Sequence, residues 1–207
     1  MKNKSVLESL SNYSSANYRK HTSKNPLQRF LIKRFHNSIR DLIIKAGVSK
    51  ILDAGCGEGL AINEIINKNN SSITGIDISM EALHIAKQLN PECFFLQCNL
   101  QTLPFLDNTF ELVLSLEVLE HLKNPQKVML ELCRVSRLWL LFSVPDEPVF
   151  QIVNFLRGKN LKYWGNDPEH INHWSFKSFV VFLQKFCYII EQKQSFPWTV
   201  VLCKKKE

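Results

Sequence analysis

The chain has 207 residues, of which 45% are hydrophobic, 11% aromatic and 22% charged, and its formal net charge is +7. This length and composition predict one globular domain with its own core, and they exclude a disordered chain. The sequence has no run of about 18 apolar residues, and its polar start lacks the apolar centre of a secretory signal, so we expect a cytoplasmic protein.

The cysteines are scattered and contain no Cys-x-x-Cys pair. The chain has six cysteines, and they lie mostly in apolar, strand-like runs, where cysteine behaves as a small hydrophobic residue. They are Cys56, Cys93, Cys98, Cys133, Cys187 and Cys203. This spacing argues against a zinc site and against a disulfide framework.

Basic residues are concentrated in the first quarter of the chain. Residues 1–50 contain 11 Lys or Arg and 2 Asp or Glu, a balance of +9, whereas residues 51–207 contain 15 and 17, a balance of −2. A helix should begin at Asn25-Pro26 and end at Gly47. Its apolar stripe is Leu27, Leu31, Phe35, Ile39, Leu42, Ile43 and Ala46, with Arg29, Lys33 and Arg40 on another face.

We interpret this helix as packed on the main sheet with a solvated basic face, and weak contact with a membrane surface is the alternative. Together with the preceding polar segment it should form a basic helical lid over residues 1–47. The basic charge would also suit an anionic acceptor.

The most informative stretch is residues 51–59, which read Ile-Leu-Asp-Ala-Gly-Cys-Gly-Glu-Gly. They connect a strand-like run at 48–52 to a helix-compatible segment at 60–68, and a second strand-like run ends at Asp77. Glycines allow a sharp turn and a close approach of backbone to ligand. A carboxylate at the end of the second strand is suited to ribose hydroxyls. The pattern predicts an adenosine-type cofactor.

The glycine spacing narrows the choice of cofactor. A dinucleotide fingerprint needs Gly or Ala five positions after its first glycine, but Leu60 and Ile62 stand there, and no Gly-Lys-Ser/Thr of a P-loop follows. The remaining pattern, Asp-x-Gly-x-Gly-x-Gly, resembles motif I of the class I S-adenosylmethionine (SAM)-dependent methyltransferases. SAM has an ammonium group and a ribose but no phosphate, and Asp53 suits the ammonium.

The resemblance continues from about Ser49 to Val144. Asp77 matches the family's ribose-binding acid, and residues 95–100 and 103–105 resemble the adenine-contacting region. Residues 107–115 resemble strand four, and Glu117-Val-Leu-Glu-His-Leu122 resembles the helix start of the type 11 group. The cofactor contacts that the resemblance implies are Asp53, Ala54, Gly55, Cys56, Gly57, Asp77, Ile78, Asn99, Leu100, Ser115 and Leu116. Asn99 stands where the family usually has Asp, so the adenine contact would be uncharged.

The order of patterns predicts an α/β fold. Strands are expected near 48–53, 72–77, 93–97, 110–115 and 138–144, and helices near 59–68, 80–89 and 125–135, which implies a parallel sheet with right-handed crossovers. After Pro145 we expect an irregular stretch to Asn172, a helix over 175–186 and an antiparallel hairpin from 187–192 and 198–203. The family implies a Rossmann-like seven-stranded sheet ordered 3-2-1-4-5-7-6, with the last strand antiparallel and helices on both faces.

The acceptor should lie beyond the carboxyl ends of strands four and five, with residues 146–174 as an acceptor-side insertion. Methyl transfer needs orientation, exclusion of water and a base only for a poorly ionised nucleophile. Our candidates for this chemistry are His121, His173 and Glu120, with His170 as a further possible base. We predict a small-molecule acceptor and no metal.

Two alternatives stay open. Glu117, Glu120 and His121 with His170-Ile-Asn-His173 resemble the metal-binding set of the RNA 3′-end 2′-O-methyltransferases, although the Phe-Glu-Trp segment of those enzymes is missing here. The basic N-terminus would suit RNA, but we consider nucleic acid the weaker hypothesis. The second alternative is a non-catalytic SAM-binding partner subunit, and Asn99 leaves room for it.

Overall fold

A computed structural model describes residues 23–65, 71–156 and 160–206. Six helices are described: α1 (Pro26–Ala46), α2 (Leu60–Ile65), α3 (Met80–Leu89), α4 (Pro125–Val135), α5 (Glu147–Leu156) and α6 (Phe176–Leu183). The strands are β1 (Lys50–Ala54), β2 (Ser72–Asp77), β3 (Phe94–Gln97), β4 (Phe110–Leu116), β5 (Ser136–Pro145), β6 (Cys187–Ser195) and β7 (Trp198–Lys205). Short 3₁₀ turns cover Leu119–His121 and Leu161–Tyr163.

The seven strands form one sheet in the order β3-β2-β1-β4-β5-β7-β6. Strands β1 to β5 pair in parallel, and β7 runs antiparallel to both β5 and β6. The predicted sheet order and the antiparallel last strand are therefore confirmed. The strand order reverses between β1 and β4, which is where open parallel sheets bind ligands at their carboxyl ends.

The core lies on both faces of the sheet because alternate strand residues point to opposite sides. Leu52 of β1 packs in the cluster that contains α4 and α6, whereas Ile51 packs with α1 and α2. None of the helices that the structure describes is long and apolar enough to cross a membrane.

Helix α1 begins and ends where the sequence predicts. The Asn25 side chain accepts a hydrogen bond from the Gln28 backbone N–H at 3.2 Å, and Gly47 ends the helix with a φ of +62°. Its buried face is Ile32, Phe35, His36, Ile39, Leu42 and Ile43, while Leu27 is 63% exposed. The predicted stripe was wrong at Leu27 because each four-residue step advances about 40° beyond a full turn.

The predicted irregular stretch after Pro145 was wrong in its first part, since α5 occupies Glu147–Leu156. We interpreted Pro148 as a break, but proline is compatible with the first turn of a helix, where its missing N–H costs nothing. The N-terminal segment with Tyr13 and Tyr18 lies outside the described residues. The lid over 1–47 and the insertion over 146–174 remain predictions.

Candidate active site

The turn after β1 is built on glycines. Gly55, Gly57 and Gly59 all have positive φ values, at +84°, +51° and +68°. A Cβ on Gly55 would lie 2.5 Å from a methyl of Val118, so this position has no room for a side chain. The backbone N–H groups of Gly55 and Cys56 both donate to the Ile76 carbonyl, at 2.8 and 2.9 Å. The turn is therefore fastened to the end of β2.

Asp77 holds the same turn through its side chain. One carboxylate oxygen accepts the Gly57 N–H at 2.9 Å, and the other accepts the Ser79 N–H at 2.9 Å. The side-chain cap of α3 is Ser79, which accepts from Ala82, so Asp77 is not the capping residue. The half-buried Asp77 carboxylate faces the glycine turn, as a ribose-binding acid would.

Asp53 lies at the end of β1 and is only 1% exposed. Among the described residues its Oδ2 atom has no hydrogen-bond partner, and the buried hydroxyl of Ser115 at the end of β4 has none either. Burial, and secondarily the negative charge of Asp77, raises the pKa of Asp53 to about 7. A buried carboxyl with an unused oxygen is suited to a ligand that brings donors and positive charge.

These features fit SAM. Its ammonium group would supply the charge and the donors for which the Asp53 carboxyl is placed, and its ribose hydroxyls would reach Asp77. The fit rests on the unused buried oxygen and on the glycine turn, which leaves the backbone open to a ligand.

The other predicted cofactor residues differ in their environments. Ala54, Cys56 and Leu100 are buried, Leu116 is half-buried, and Ile78 and Asn99 are exposed. Burial raises the pKa of the Cys56 thiol well above its usual value, which leaves it an inert small side chain. The Asn99 side-chain oxygen accepts the Gln101 N–H at 2.9 Å, and its second lone pair can still accept from an adenine amino group.

A second polar group lies beyond the carboxyl ends of β4 and β5. Glu120, His121 and His170 each offer one ligand-type atom, and these atoms lie within 4.8 Å of one another. The loop that carries His170 is fixed there by the backbone N–H groups of Ile171 and Asn172, which donate to the Glu120 carbonyl at 2.8 and 2.9 Å. The Asn172 amide also donates to the carbonyls of Leu119 and Leu122.

Hydrogen bonds orient both imidazoles. His121 Nδ1 lies 2.9 Å from the Glu169 carbonyl, which can only accept, so this nitrogen carries the proton and Nε2 has the lone pair. His170 Nδ1 pairs with the Glu147 carboxylate, and the same reasoning gives its Nε2 the lone pair. The rings are 5.0 Å apart at 68°. The two imidazoles and the Glu120 carboxylate therefore lie in one region.

Two predicted residues lie outside this group. His173 is 45% exposed, and its Nδ1 lies 3.6 Å from the second oxygen of Glu147. Glu117 has a φ of +56°, and its carboxylate accepts the indole N–H of Trp198. The structure thus brings together Glu120, His121 and His170, and it separates Glu117 from them.

Sequence reasoning missed Glu147, which is 4% exposed and fixes His170. The available signal was its position two residues after β5, at the edge where the acceptor is expected. Glu147 also lines a polar cavity of about 400 Å³ with Gln151, Asn166, His173, Ser175 and Ser178. This cavity adjoins the His170 side of the polar group.

Replacing Asp53 by Asn tests the burial of its carboxyl. An acid whose pKa is raised by folding stabilises the protein fully below its unfolded value of 3.8, and this contribution is lost as pH rises through about 7. We compare the free energy of unfolding of Asp53→Asn with that of wild type, without added ligand. The difference should shift in favour of the variant by roughly 2–4 kcal/mol from pH 4 to pH 8. Urea unfolding at both pH values measures the difference.

The exposed Asp41→Asn serves as the matched control, and its effect should stay within about 0.5 kcal/mol at either pH. A pH-independent effect of Asp53→Asn would contradict the assignment of a raised pKa.

Comparisons with known proteins agree with this geometry. A family profile described as "Methyltransferase domain" matches residues 52–138. Cycloartenol-C-24-methyltransferase 1 of Oryza sativa subsp. japonica is 32% identical over 120 residues, which are 55% of this chain and 35% of that protein. The chain spans about a third of the length of such curated relatives.

Solved structures share the fold. Magnesium protoporphyrin IX methyltransferase from Synechocystis PCC 6803, with bound S-adenosylhomocysteine (SAH), superposes with a TM-score of 0.71 at 14% identity, covering 98% of this chain and all of that one. The methyltransferase domain of bacterial CtHen1-CN gives 0.62 at 21% identity, covering 84% and 99%. In its motif, its sheet order and the profile match over residues 52–138, the chain is similar to the class I SAM-dependent methyltransferases.

Proposed function

We propose that the chain transfers a methyl group from SAM to a small-molecule acceptor. The observation that carries this proposal is the pair of carboxyls around the glycine turn, with Asp53 buried at the end of β1 and Asp77 fixed at the end of β2. Bound SAM supplies an activated methyl group on a sulfonium. The family match and the methyltransferase relatives support the reaction type.

The protein's own part in the reaction is to bind, orient and exclude water. Asp53 and Asp77 would hold the two polar ends of the cofactor, and the group after β4 would face the acceptor. The Nε2 lone pairs of His121 and His170 can accept a hydrogen bond from an acceptor hydroxyl or amine, and the Glu120 carboxylate can do the same.

We infer that residues 1–47 as a lid and residues 146–174 as an insertion would close the acceptor site. His170 and Asn172 of the second segment contact the turn after β4, and Glu147 pairs with His170.

Calorimetry with SAM and SAH tests the proposal. Both should bind with micromolar affinity, and Asp77→Ala should weaken them by at least about tenfold because it removes a charge-assisted contact to the ribose. Glu169→Gln is the control, since this residue is exposed and the substitution keeps the backbone carbonyl that contacts His121. If neither ligand binds, the methyltransferase proposal is wrong. If both bind and no acceptor is ever methylated, the partner-subunit alternative is favoured.

A second candidate is a metal-dependent RNA 3′-end 2′-O-methyltransferase. The convergence of Glu120, His121 and His170 favours it, because His nitrogens and a carboxylate are common ligands of divalent metals. Hydrogen bonds to Nδ1 also leave both Nε2 atoms ready to coordinate. CtHen1-CN shares the fold. Against it, the Glu117 carboxylate accepts a hydrogen bond from Trp198, and Glu117 is not among the three residues whose ligand atoms lie within 4.8 Å of one another.

Chelation separates the two candidates. We expect methyl transfer to a small acceptor to be unchanged by EDTA and by added Mg²⁺ or Mn²⁺, because these hard ions prefer oxygen ligands and the group offers one carboxylate beside two imidazoles. Metal analysis of Glu120→Gln and of the exposed control Glu81→Gln measures any bound ion. A stoichiometric metal that Glu120→Gln removes, together with methylation of RNA 3′ ends, would establish the second candidate.

A further inference from the structure

An exposed aromatic patch stands on α5 and the 3₁₀ turn that follows. We define the aromatic patch as Ile152, Phe155, Lys162, Tyr163 and Trp164. Its apolar members are 59%, 42%, 48% and 74% exposed, in chain order. Ile152 and Phe155 are three apart and therefore share one face of α5. Phe155 and Trp164 stack with ring centres 6.0 Å apart and planes at 9°. The patch is thus continuous.

The fold holds Trp164 outward by specific contacts. Gly165 packs so closely on α5 that a Cβ there would lie 2.1 Å from the Gln151 carbonyl. The buried Asn154 amide donates to the Gly165 carbonyl at 3.2 Å. Trp164 and Asn160 have φ values of +53° and +54°, a conformation that costs energy for residues other than glycine. A strained, anchored turn that exposes a tryptophan indicates an interaction surface.

The charge around the patch indicates which partner it meets. Among the described residues 152–156 and 160–164, Lys162 is basic and none is acidic. The Lys162 ammonium lies 6.0 Å above the Tyr163 ring. Tryptophan, tyrosine and basic side chains together suit the boundary between lipid headgroups and acyl chains, where rings enter and ammonium groups remain in water.

We propose that the aromatic patch docks the protein on the surface of an anionic lipid bilayer. The segment follows β5 directly at the edge where Glu147 and His170 lie, so docking would place the acceptor site beside the membrane. The acceptor would then be a lipid-soluble molecule, a consequence that rests on the proposed function. The docking itself does not depend on methyl transfer.

Vesicle sedimentation tests the docking with the full chain. Wild type should bind vesicles of phosphatidylcholine mixed with phosphatidylglycerol more tightly than vesicles of phosphatidylcholine alone, and the difference should shrink in high salt. The double variant Phe155→Ser with Trp164→Ser should bind at least about tenfold more weakly, because it removes two rings that enter the lipid. Lys162→Gln should weaken binding to the anionic vesicles only.

The matched control removes two exposed aromatics elsewhere, Phe94→Ser on β3 and Tyr188→Ser on β6, which are 58% and 60% exposed. It should bind vesicles like wild type. No binding to anionic vesicles, or an equal loss in the control, would overturn the proposal. The proposal would also be overturned if wild type dimerised in sedimentation equilibrium, or bound RNA, and only the patch variant lost that property. SAH calorimetry on each variant reports the cofactor site separately, so either proposal can fail alone.

Discussion

A buried carboxyl organises the functional end of this protein. Asp53 lies near the end of β1 in the centre of the sheet, where desolvation and, secondarily, the negative charge of Asp77 raise its pKa to about 7. The free-energy cost of burying this carboxyl falls at the point where the strand order reverses and the glycine turn leaves the backbone open to a ligand. Such a cost at a ligand-binding edge is understandable if a positively charged group of the ligand offsets it.

The proposed acceptor site lies at the same edge of the sheet, beyond β4 and β5, but other contacts hold its residues in place. Glu120 and His121 follow β4, Glu147 follows β5, and the loop with His170 is pinned between them by backbone hydrogen bonds. Each imidazole donates from Nδ1, so both lone pairs are set by protein contacts before any ligand binds. The aromatic patch lies on the same segment, and membrane docking would therefore act on the acceptor side of the domain.

Local pattern was sufficient for the strands of the sheet and for the glycine turn, whereas the strand order came from the family resemblance. The glycines at 55, 57 and 59, the acid at 77 and the regular alternation of strands and helices are properties of neighbouring residues. The antiparallel hairpin and the caps of α1 were predictable for the same reason. The contact of each cofactor residue with SAM remains a prediction.

Features that depend on tertiary contacts could not be predicted from the sequence. Pro148 marks the first turn of α5 instead of a break, which local composition could not distinguish. The partners of Glu147 and Glu117 are His170, 23 residues away, and Trp198, 81 residues away. No spacing rule connects such positions. The exposure of Trp164 likewise could not be predicted from local composition.

A crystal structure of the chain with SAH bound would test the central claim most directly. The account predicts the ligand's ammonium group within hydrogen-bonding reach of the Asp53 end of β1 and the ribose hydroxyls on Asp77. Its sulfur should face the edge formed by Glu120 and His121. SAH bound away from the glycine turn, or with its ribose distant from Asp77, would contradict the account.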